Sequence, residues 1–321
     1  MTIITSPQEL FGSDLYVDLR PLLGRRLYVK CEGLNFGGSI KMKAAASMVA
    51  AAERAALITE DTTLIESSSG NLGVALSAIA ASKGLHFTCV TDRRCNQLTA
   101  ATMRALGTTV LRVDEPHPEG GFLGARLDLV RRLCTEDSRY VWLDQYSNEE
   151  NWKAHYETTA PEILKRFPDV DVVFVGVGTS GTAMGCVRYF RDAGSSARVV
   201  AVDAVGSVSF GAPAAPRHIP GLGAGVRPPM LESGLFDDVV HVPENDAVRM
   251  CRTLSARGML FGGSTGTVVG GARTWLDRHD ADRSLQSICI SPDMGERYLE
   301  TVYDDDWVVD HFGPQALQPI L

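Results

Sequence analysis

Lys41 is the residue whose chemistry asks first for an explanation. It closes the approach Glu32-Gly33-Leu34-Asn35-Phe36-Gly37-Gly38-Ser39-Ile40-Lys41 and stands at the mouth of an Ala-rich helical pattern over Ile40 to Ala56. An ammonium at a helix N-terminus meets the positive end of the macrodipole, which lowers its pKa. A lysine that must shed its proton to form a Schiff base needs that environment. Most lysines are solvated surface groups; the Gly-Gly-Ser approach and the apolar helix behind it set this one apart.

Three turns rich in glycine and hydroxyls follow, each near the start of a helical pattern. In Ser67-Ser68-Ser69-Gly70-Asn71, three hydroxyls, an amide and free backbone N–H groups suit a carboxylate as well as a phosphate. Gly176-Val177-Gly178-Thr179-Ser180-Gly181, with Thr182 next, satisfies G-x-G-x-x-G after the run Val172-Val173-Phe174-Val175. Asp203 ends the following strand-like run, where a dinucleotide site places an acid for the ribose. The same turn serves any phosphate, and the Thr179, Ser180 and Thr182 hydroxyls fit a single phosphate monoester equally well. A tight structural joint is the plain alternative. Gly262-Gly263-Ser264-Thr265-Gly266 fits the G-x-S-x-G of serine hydrolases, but only His279 and His311 follow it, in polar or terminal contexts. Three anion-friendly turns in one chain ask for a ligand with more than one anionic end. An amino acid joined to pyridoxal phosphate has both a carboxylate and a phosphate.

The elements that must hold these turns alternate regularly. Leu27 to Cys31, Thr63 to Glu66, His86 to Val90, Thr109 to Val113 and Tyr140 to Leu143 read as strands, with helical patterns between them, one from Asn71 to Lys83. The habit repeats in Asp171 to Val175, Arg198 to Val202, Val239 to Val242 and Ser287 to Ile290. Such alternation predicts an α/β fold of open, mostly parallel sheets flanked by helices. Ser207 to Pro229, rich in Gly, Pro and Ala, reads as a long irregular excursion. The chain divides near residue 150.

Bulk properties exclude several classes. The 321 residues are 45% hydrophobic and 22% charged, with a net charge of −8 and no Lys/Arg-rich run, so neither nucleic acid nor a membrane is an expected partner. No apolar run approaches the roughly 20 residues of a membrane span, and Met1 to Pro7 does not read as a signal peptide. The seven cysteines are scattered without a CxxC pair, which fits reduced thiols and a cytoplasmic protein. The seven histidines show no metal-ligand spacing, so no metal is expected.

The chain resembles the cysteine synthase/cystathionine β-synthase family, the fold-type II pyridoxal-phosphate enzymes. The family's lysine motif E-x-x-N-P-x-x-S-x-K-D-R is matched from Glu32 to Lys43 except at Phe36, Met42 and Lys43. Its carboxylate loop T-S-G-N-T-G is matched by Ser68 to Gly73, with Leu72 in place of the second threonine. The glutamine segment is matched by Gln145-Tyr146-Ser147-Asn148, followed by His155-Tyr156-Glu157-Thr158-Thr159-Ala160-Pro161-Glu162-Ile163. The phosphate loop G-T-G-G-T is matched by Gly178 to Thr182, with Ser180 in place of a glycine. His218 to Gly225 and Ser291 to Tyr298 are further phrases of the family, so the likeness runs through nearly the whole chain.

The resemblance implies a smaller domain over residues 36–150 and a larger one over 1–35 and 151–321, and a homodimer. It implies that Lys41 carries pyridoxal 5'-phosphate and removes the substrate's Cα proton, and that Asn71 bonds the cofactor's ring oxygen. Ser68, Ser69, Gly70 and Gln145 then hold the carboxylate of an amino-acid substrate. Gly178, Thr179, Ser180, Gly181 and Thr182 hold the cofactor's phosphate, and Ser264 partners the pyridine nitrogen. A neutral serine there leaves that nitrogen uncharged and favours prompt β-elimination. The departures at Leu72 and Ser180, with Ser13 to Val17, Gly120 to Arg126 and Ala201 to Val208, resemble the branch that joins O-phospho-L-serine to L-glutamate, toward 2,3-diaminopropionate for siderophores or peptide antibiotics. A leaving phosphate is best met by arginine. Arg126 is the candidate, with the Tyr146 and Ser180 hydroxyls beside it; a solvated helix arginine is the alternative. The nearest rival is a cysteine synthase using O-acetylserine or O-phosphoserine with sulfide. A catalytically silent homologue stands further off, against the intact Lys41, Asn71, Gln145 and Ser264.

Overall fold

The computed structural model describes residues 3–10 and 14–320, which separate into two compact units. Among the described residues the strands are β1 (Tyr16–Asp18), β2 (Leu27–Cys31), β3 (Thr63–Ser67), β4 (His86–Asp92), β5 (Thr109–Val113), β6 (Tyr140–Trp142), β7 (Val172–Gly176), β8 (Arg198–Ala204), β9 (Asp238–Val242) and β10 (Ser287–Ser291).

The smaller unit joins residues 3–10 to Asn35–Asn151 around a parallel sheet of order β5-β4-β3-β6. Thr63 lies opposite His86 on one side and Tyr140 on the other. Both faces are covered, so β3 and β4 are buried along all but their first residues. Leu64 packs with Met42, Met48, Val49, Leu76 and Met103 from three helices on one face. Ile65 and Val90 pack with Val130 on the other, as the period of two requires. Because the four strands are parallel, their carboxyl ends share one edge, marked by Ser67, Asp92 and the Leu143–Tyr146 turn. Residues 3–10 belong to this unit, whereas the family resemblance implied that residues 1–35 go with the larger one; the 3-10 turn Pro7–Glu9 rests on the helices Lys41–Arg54 and Asn71–Lys83.

The larger unit comprises residues 14–34 and 152–320, with the sheet order β1-β2-β10-β7-β8-β9. All neighbours are parallel except β1 and β2, where Tyr16 opposes Lys30. Phe174, Val200, Val202, Val268 and Trp275 form its main core with Met250 and Leu254. The irregular stretch after β8 is tied down by side chains. Ser207 Oγ accepts the Ala224 N–H (2.9 Å), Arg217 donates to the Gly206 and Ala224 carbonyls (3.1 and 3.0 Å), and Glu244 accepts the N–H groups of His218 and Ile219.

A single turn of π-helix, His155–Thr159, packs on helix Gly181–Asp192 where Gly185 allows close approach. A Cβ at Gly185 would collide with the Trp152 carbonyl oxygen and sit 2.7 Å from His155 Cβ. Gly185→Ala is therefore expected to destabilise the protein by about 1–3 kcal/mol through overpacking, read as a lower urea midpoint. An unchanged midpoint would show that the π turn is free to move aside.

Candidate active site

In the smaller unit the lysine loop is knitted by Asn35. Its Oδ1 accepts the N–H groups of Gly37 (3.0 Å) and Ser39 (3.4 Å), and its Nδ2 donates to the Ser39 carbonyl (2.9 Å). Gly38 turns the chain with φ +66, a conformation glycine adopts without steric cost. Lys41 then opens helix Lys41–Arg54, its N–H 3.4 Å from Ser39 Oγ and its side chain half-buried. The helix is a row of buried Ala and Met against the sheet, so the site of Lys41 is set by the packing behind it.

Ser68 to Asn71 lead from the carboxyl end of β3 into helix Asn71–Lys83. Ser68 is buried, and its Oγ accepts the N–H groups of Gly70 (3.3 Å) and Gly73 (3.0 Å). With its oxygen used as acceptor, its own proton is available to donate. Ser69, Gly70 and Asn71 are half-buried around the same helix start. Gln145 is buried beside them, with Nε2 donating to the Ser67 carbonyl (2.8 Å) and its backbone carbonyl accepting from Asn151 Nδ2 (2.7 Å).

Arg126 does not lie in solvent. On helix Gly121–Glu136 its side chain is 8% exposed, with Nε 3.3 Å from Oδ2 of the buried Asp92 at the end of β4. Tyr146 neighbours this pair. Burial pushes its phenol up to about 12, against the pull of the Arg126 charge, so it stays a protonated donor at any ordinary pH. The smaller unit thus carries Lys41, Ser68–Asn71, Gln145, Tyr146 and Arg126, with all but Lys41 at the carboxyl edge of its sheet.

The larger unit carries the others. Gly178 to Ser180 connect β7 to helix Gly181–Asp192, and a Cβ at Gly178 would meet the Gly221 carbonyl oxygen at 2.8 Å. Ser180 occupies the N-cap position with φ +74, a left-handed conformation rare for a non-glycine residue. Its Oγ is buried with no hydrogen-bond partner among the described residues. A buried hydroxyl over the free N–H groups of a helix start fits a phosphate. Thr182 Oγ1 lies 3.2 Å from Nε2 of the fully buried His155, whose Nδ1 lies 3.1 Å from Thr159 Oγ1. Ser264 is buried at the start of helix Gly263–His279 and hydrogen-bonds with Tyr298, whose O–H donates to Asp293 (2.7 Å).

The competing motifs lose their support here. Asp203 is fully buried, accepts the N–H of Ala204 (2.8 Å), and has its carboxyl pushed up by burial, so it is not offered to a ribose. His279 and His311 are each bonded to a carbonyl one turn back in their own helices and stacked on Trp275 and Trp307. Neither is placed as a base for Ser264. Among the described residues there is no cluster of metal-ligating side chains, and no helix is long and apolar enough to cross a membrane.

Residues 16–292 match the family model described as pyridoxal-phosphate dependent enzyme. The chain belongs to that family. Pyridoxal phosphate is therefore its cofactor. The chain is 40% identical over 306 residues to the N-(2-amino-2-carboxyethyl)-L-glutamate synthase of Cupriavidus metallidurans, covering 94% of this chain and 90% of that protein. It is 40% identical over 311 residues to the synthase of the same name from Ralstonia nicotianae, covering 95% and 91%. A hydrogen sulfide-producing enzyme from Fusobacterium nucleatum superposes with a TM-score of 0.87 at 33% identity, over 93% of this chain and 99% of that one. Fold-type II pyridoxal-phosphate enzymes share this two-sheet architecture.

Motif reading did not single out Glu66, Asp92 or His155 as site residues. The signal for the first two was a carboxylate inside an otherwise apolar strand run, at Leu64-Ile65-Glu66 and at the end of Cys89-Val90-Thr91-Asp92. Ser180 has a separable consequence. Ser180→Gly relieves the positive φ and should stabilise the cofactor-free protein by about 1 kcal/mol, while weakening pyridoxal phosphate binding roughly three- to tenfold through the lost hydroxyl. Thermal melts without cofactor and a fluorescence titration with it test both halves. Unchanged affinity would remove Ser180 from the phosphate site.

Proposed function

We propose that the protein joins O-phospho-L-serine to L-glutamate, forming N-(2-amino-2-carboxyethyl)-L-glutamate and releasing phosphate. The observation that carries this reading is the 40% identity to synthases named for that product, across nearly the full length of both chains. The product's name specifies the chemistry: a new C–N bond between the glutamate amine and the Cβ of a serine-derived unit.

Pyridoxal phosphate, when bound, supplies the electron sink that acidifies the substrate's Cα–H and lets a group depart from Cβ. The chain's own residues do the remainder. Lys41 holds the cofactor through Nζ, and the same amine takes the Cα proton and returns it once the new bond has formed. The helix-start N–H groups, the Ser68 and Ser69 hydroxyls, Gly70 and the second N–H of Gln145 Nε2 hold the substrate carboxylate. Asn71 bonds the ring oxygen, Gly178 to Thr182 hold the phosphate, and the neutral Ser264 partners the ring nitrogen.

Arg126 and Tyr146 receive the departing phosphate. A guanidinium matches phosphate oxygens in geometry as well as charge. The Asp92 carboxylate stands on the Nε side of Arg126 as its ion-pair partner, and the other end of the guanidinium is the part assigned to the anion. The Tyr146 phenol, kept protonated by burial, adds an O–H donor. The protein works in the cytoplasm as a homodimer, a reading supported by its seven free cysteines and by the family likeness, and makes the precursor of a 2,3-diaminopropionate unit for a siderophore or antibiotic.

Arg126→Ala is expected to lower kcat/KM for O-phospho-L-serine by about two orders of magnitude, the worth of charge-assisted hydrogen bonds. Turnover of O-acetyl-L-serine, which loses no dianion, should change by less than about threefold. Equal losses on both substrates would show that Arg126 is structural, and the phosphate assignment would fall.

A further inference from the structure

Glu66 is fully buried one residue before the end of β3, directly ahead of the carboxylate loop. Its Oε1 accepts the N–H of Ser67 (2.7 Å) and lies 3.4 Å from the donating Trp142 Nε1, and its Oε2 accepts the backbone N–H of Gln145 (3.1 Å). A burial this complete is costly for a carboxyl group, and a structural core would fill the space with an apolar side chain at lower cost. The two oxygens instead join two segments far apart in sequence, the Ser67–Asn71 loop and the turn that carries Gln145. Both are assigned above to the same substrate carboxylate. A second link, Gln145 Nε2 to the Ser67 carbonyl (2.8 Å), runs in the opposite direction between the same two segments.

We infer that Glu66 is the positioning residue of the substrate-carboxylate clamp, holding Gln145 in register with the Ser68–Asn71 helix start. The inference rests on the assignment of that helix start and Gln145 to the substrate carboxylate. Glu66 touches neither substrate nor cofactor; it acts through the two backbones it joins. Its own ionisation gives the role a signature. Burial, opposed by the three N–H donors, pushes Glu66 up to about 8, and Asp144, Tyr146 and the buried Cys89 are the titratable groups around it. Below that pH the clamp is built on a neutral carboxyl. Above it, a negative charge stands behind the site of another carboxylate, and substrate affinity must fall. The sign for folding is the same: with its native pKa raised, Glu66 contributes stability that is fully present below about 4.5 and lost as pH rises through about 8.

The test uses the cofactor-loaded enzyme with Glu66→Ala, Glu66→Gln and Gln145→Ala, and measures KM and kcat for O-phospho-L-serine and O-acetyl-L-serine from pH 6.5 to 9.5. Glu66→Ala should raise KM for both substrates by roughly ten- to a hundredfold with a much smaller change in kcat, and Glu66→Gln, which keeps one acceptor, should fall between it and the wild type. Wild-type KM should climb as pH passes about 8, and Glu66→Gln should lose that climb. If Gln145→Ala raises KM while both Glu66 variants leave KM and its pH dependence unchanged, the positioning role is overturned and the carboxylate site stands. If Gln145→Ala also leaves KM unchanged, the carboxylate site itself is wrong and the inference falls with it. Should Glu66→Ala fail to fold, the loss of the alkaline KM climb in Glu66→Gln decides the matter alone.

Discussion

A parallel strand that runs straight into a helix leaves the first N–H groups of that helix unpaired at the strand's carboxyl edge. In this chain such strand-to-helix turns stand at Ser68–Asn71 after β3 and at Gly178–Thr182 after β7, and they are the two turns proposed above as anion sites. Around the first, Ser68 Oγ is spent on two backbone N–H groups, which fixes the loop while leaving the hydroxyl proton free to donate. Around the second, Ser180 is held in a left-handed conformation with an unpartnered buried hydroxyl. The first arrangement stabilises the loop, whereas the second costs stability in isolation, a cost that the proposed phosphate ligand would offset.

Buried charge is the second theme. Each unit buries ionisable groups that a merely stable fold would avoid. In the smaller unit these are Glu66 and the Arg126–Asp92 pair, all at the carboxyl edge of the sheet. In the larger unit Lys30 is fully buried between Glu32 (3.1 Å) and Glu162 (2.8 Å), with Tyr16 beneath it. Burial alone would depress the Lys30 pKa, but the two carboxylates outweigh it and hold the ammonium charged. Glu162 belongs to the helix after the π turn, and the π turn carries His155, which reaches Thr182 of the phosphate loop. The buried ion cluster and the phosphate loop are thus attached to opposite ends of one short helical segment.

Much of this was legible in the sequence because the signals were local. Strands β2 and β5 and the helix Asn71–Lys83 have the bounds their patterns predict, since apolar runs bounded by turn residues define both ends. The short antiparallel β1 was not visible, because Tyr16-Val17-Asp18 has neither a sustained apolar run nor a turn signal and exists only by pairing with β2. The lysine, carboxylate and phosphate turns could be picked out by residue type. What spacing could not show was direction: whether Arg126 faced solvent, and that Asp203 turned inward and so gave no support to a dinucleotide site. Those answers depend on which strand end a side chain meets across the sheet, and that is set by tertiary packing. Glu66 was hidden for the same reason, since its partners Ser67 and Gln145 meet only when β3 and β6 pair.

The most direct test of the account is a mass-spectrometric product assay on the purified yellow protein, given O-phospho-L-serine or O-acetyl-L-serine with L-glutamate or sulfide. The account predicts an adduct of the glutamate amine with the serine-derived unit, formed from O-phospho-L-serine with release of phosphate. Cysteine formed from sulfide, with no glutamate adduct from either donor, would contradict it and leave a cysteine synthase in its place.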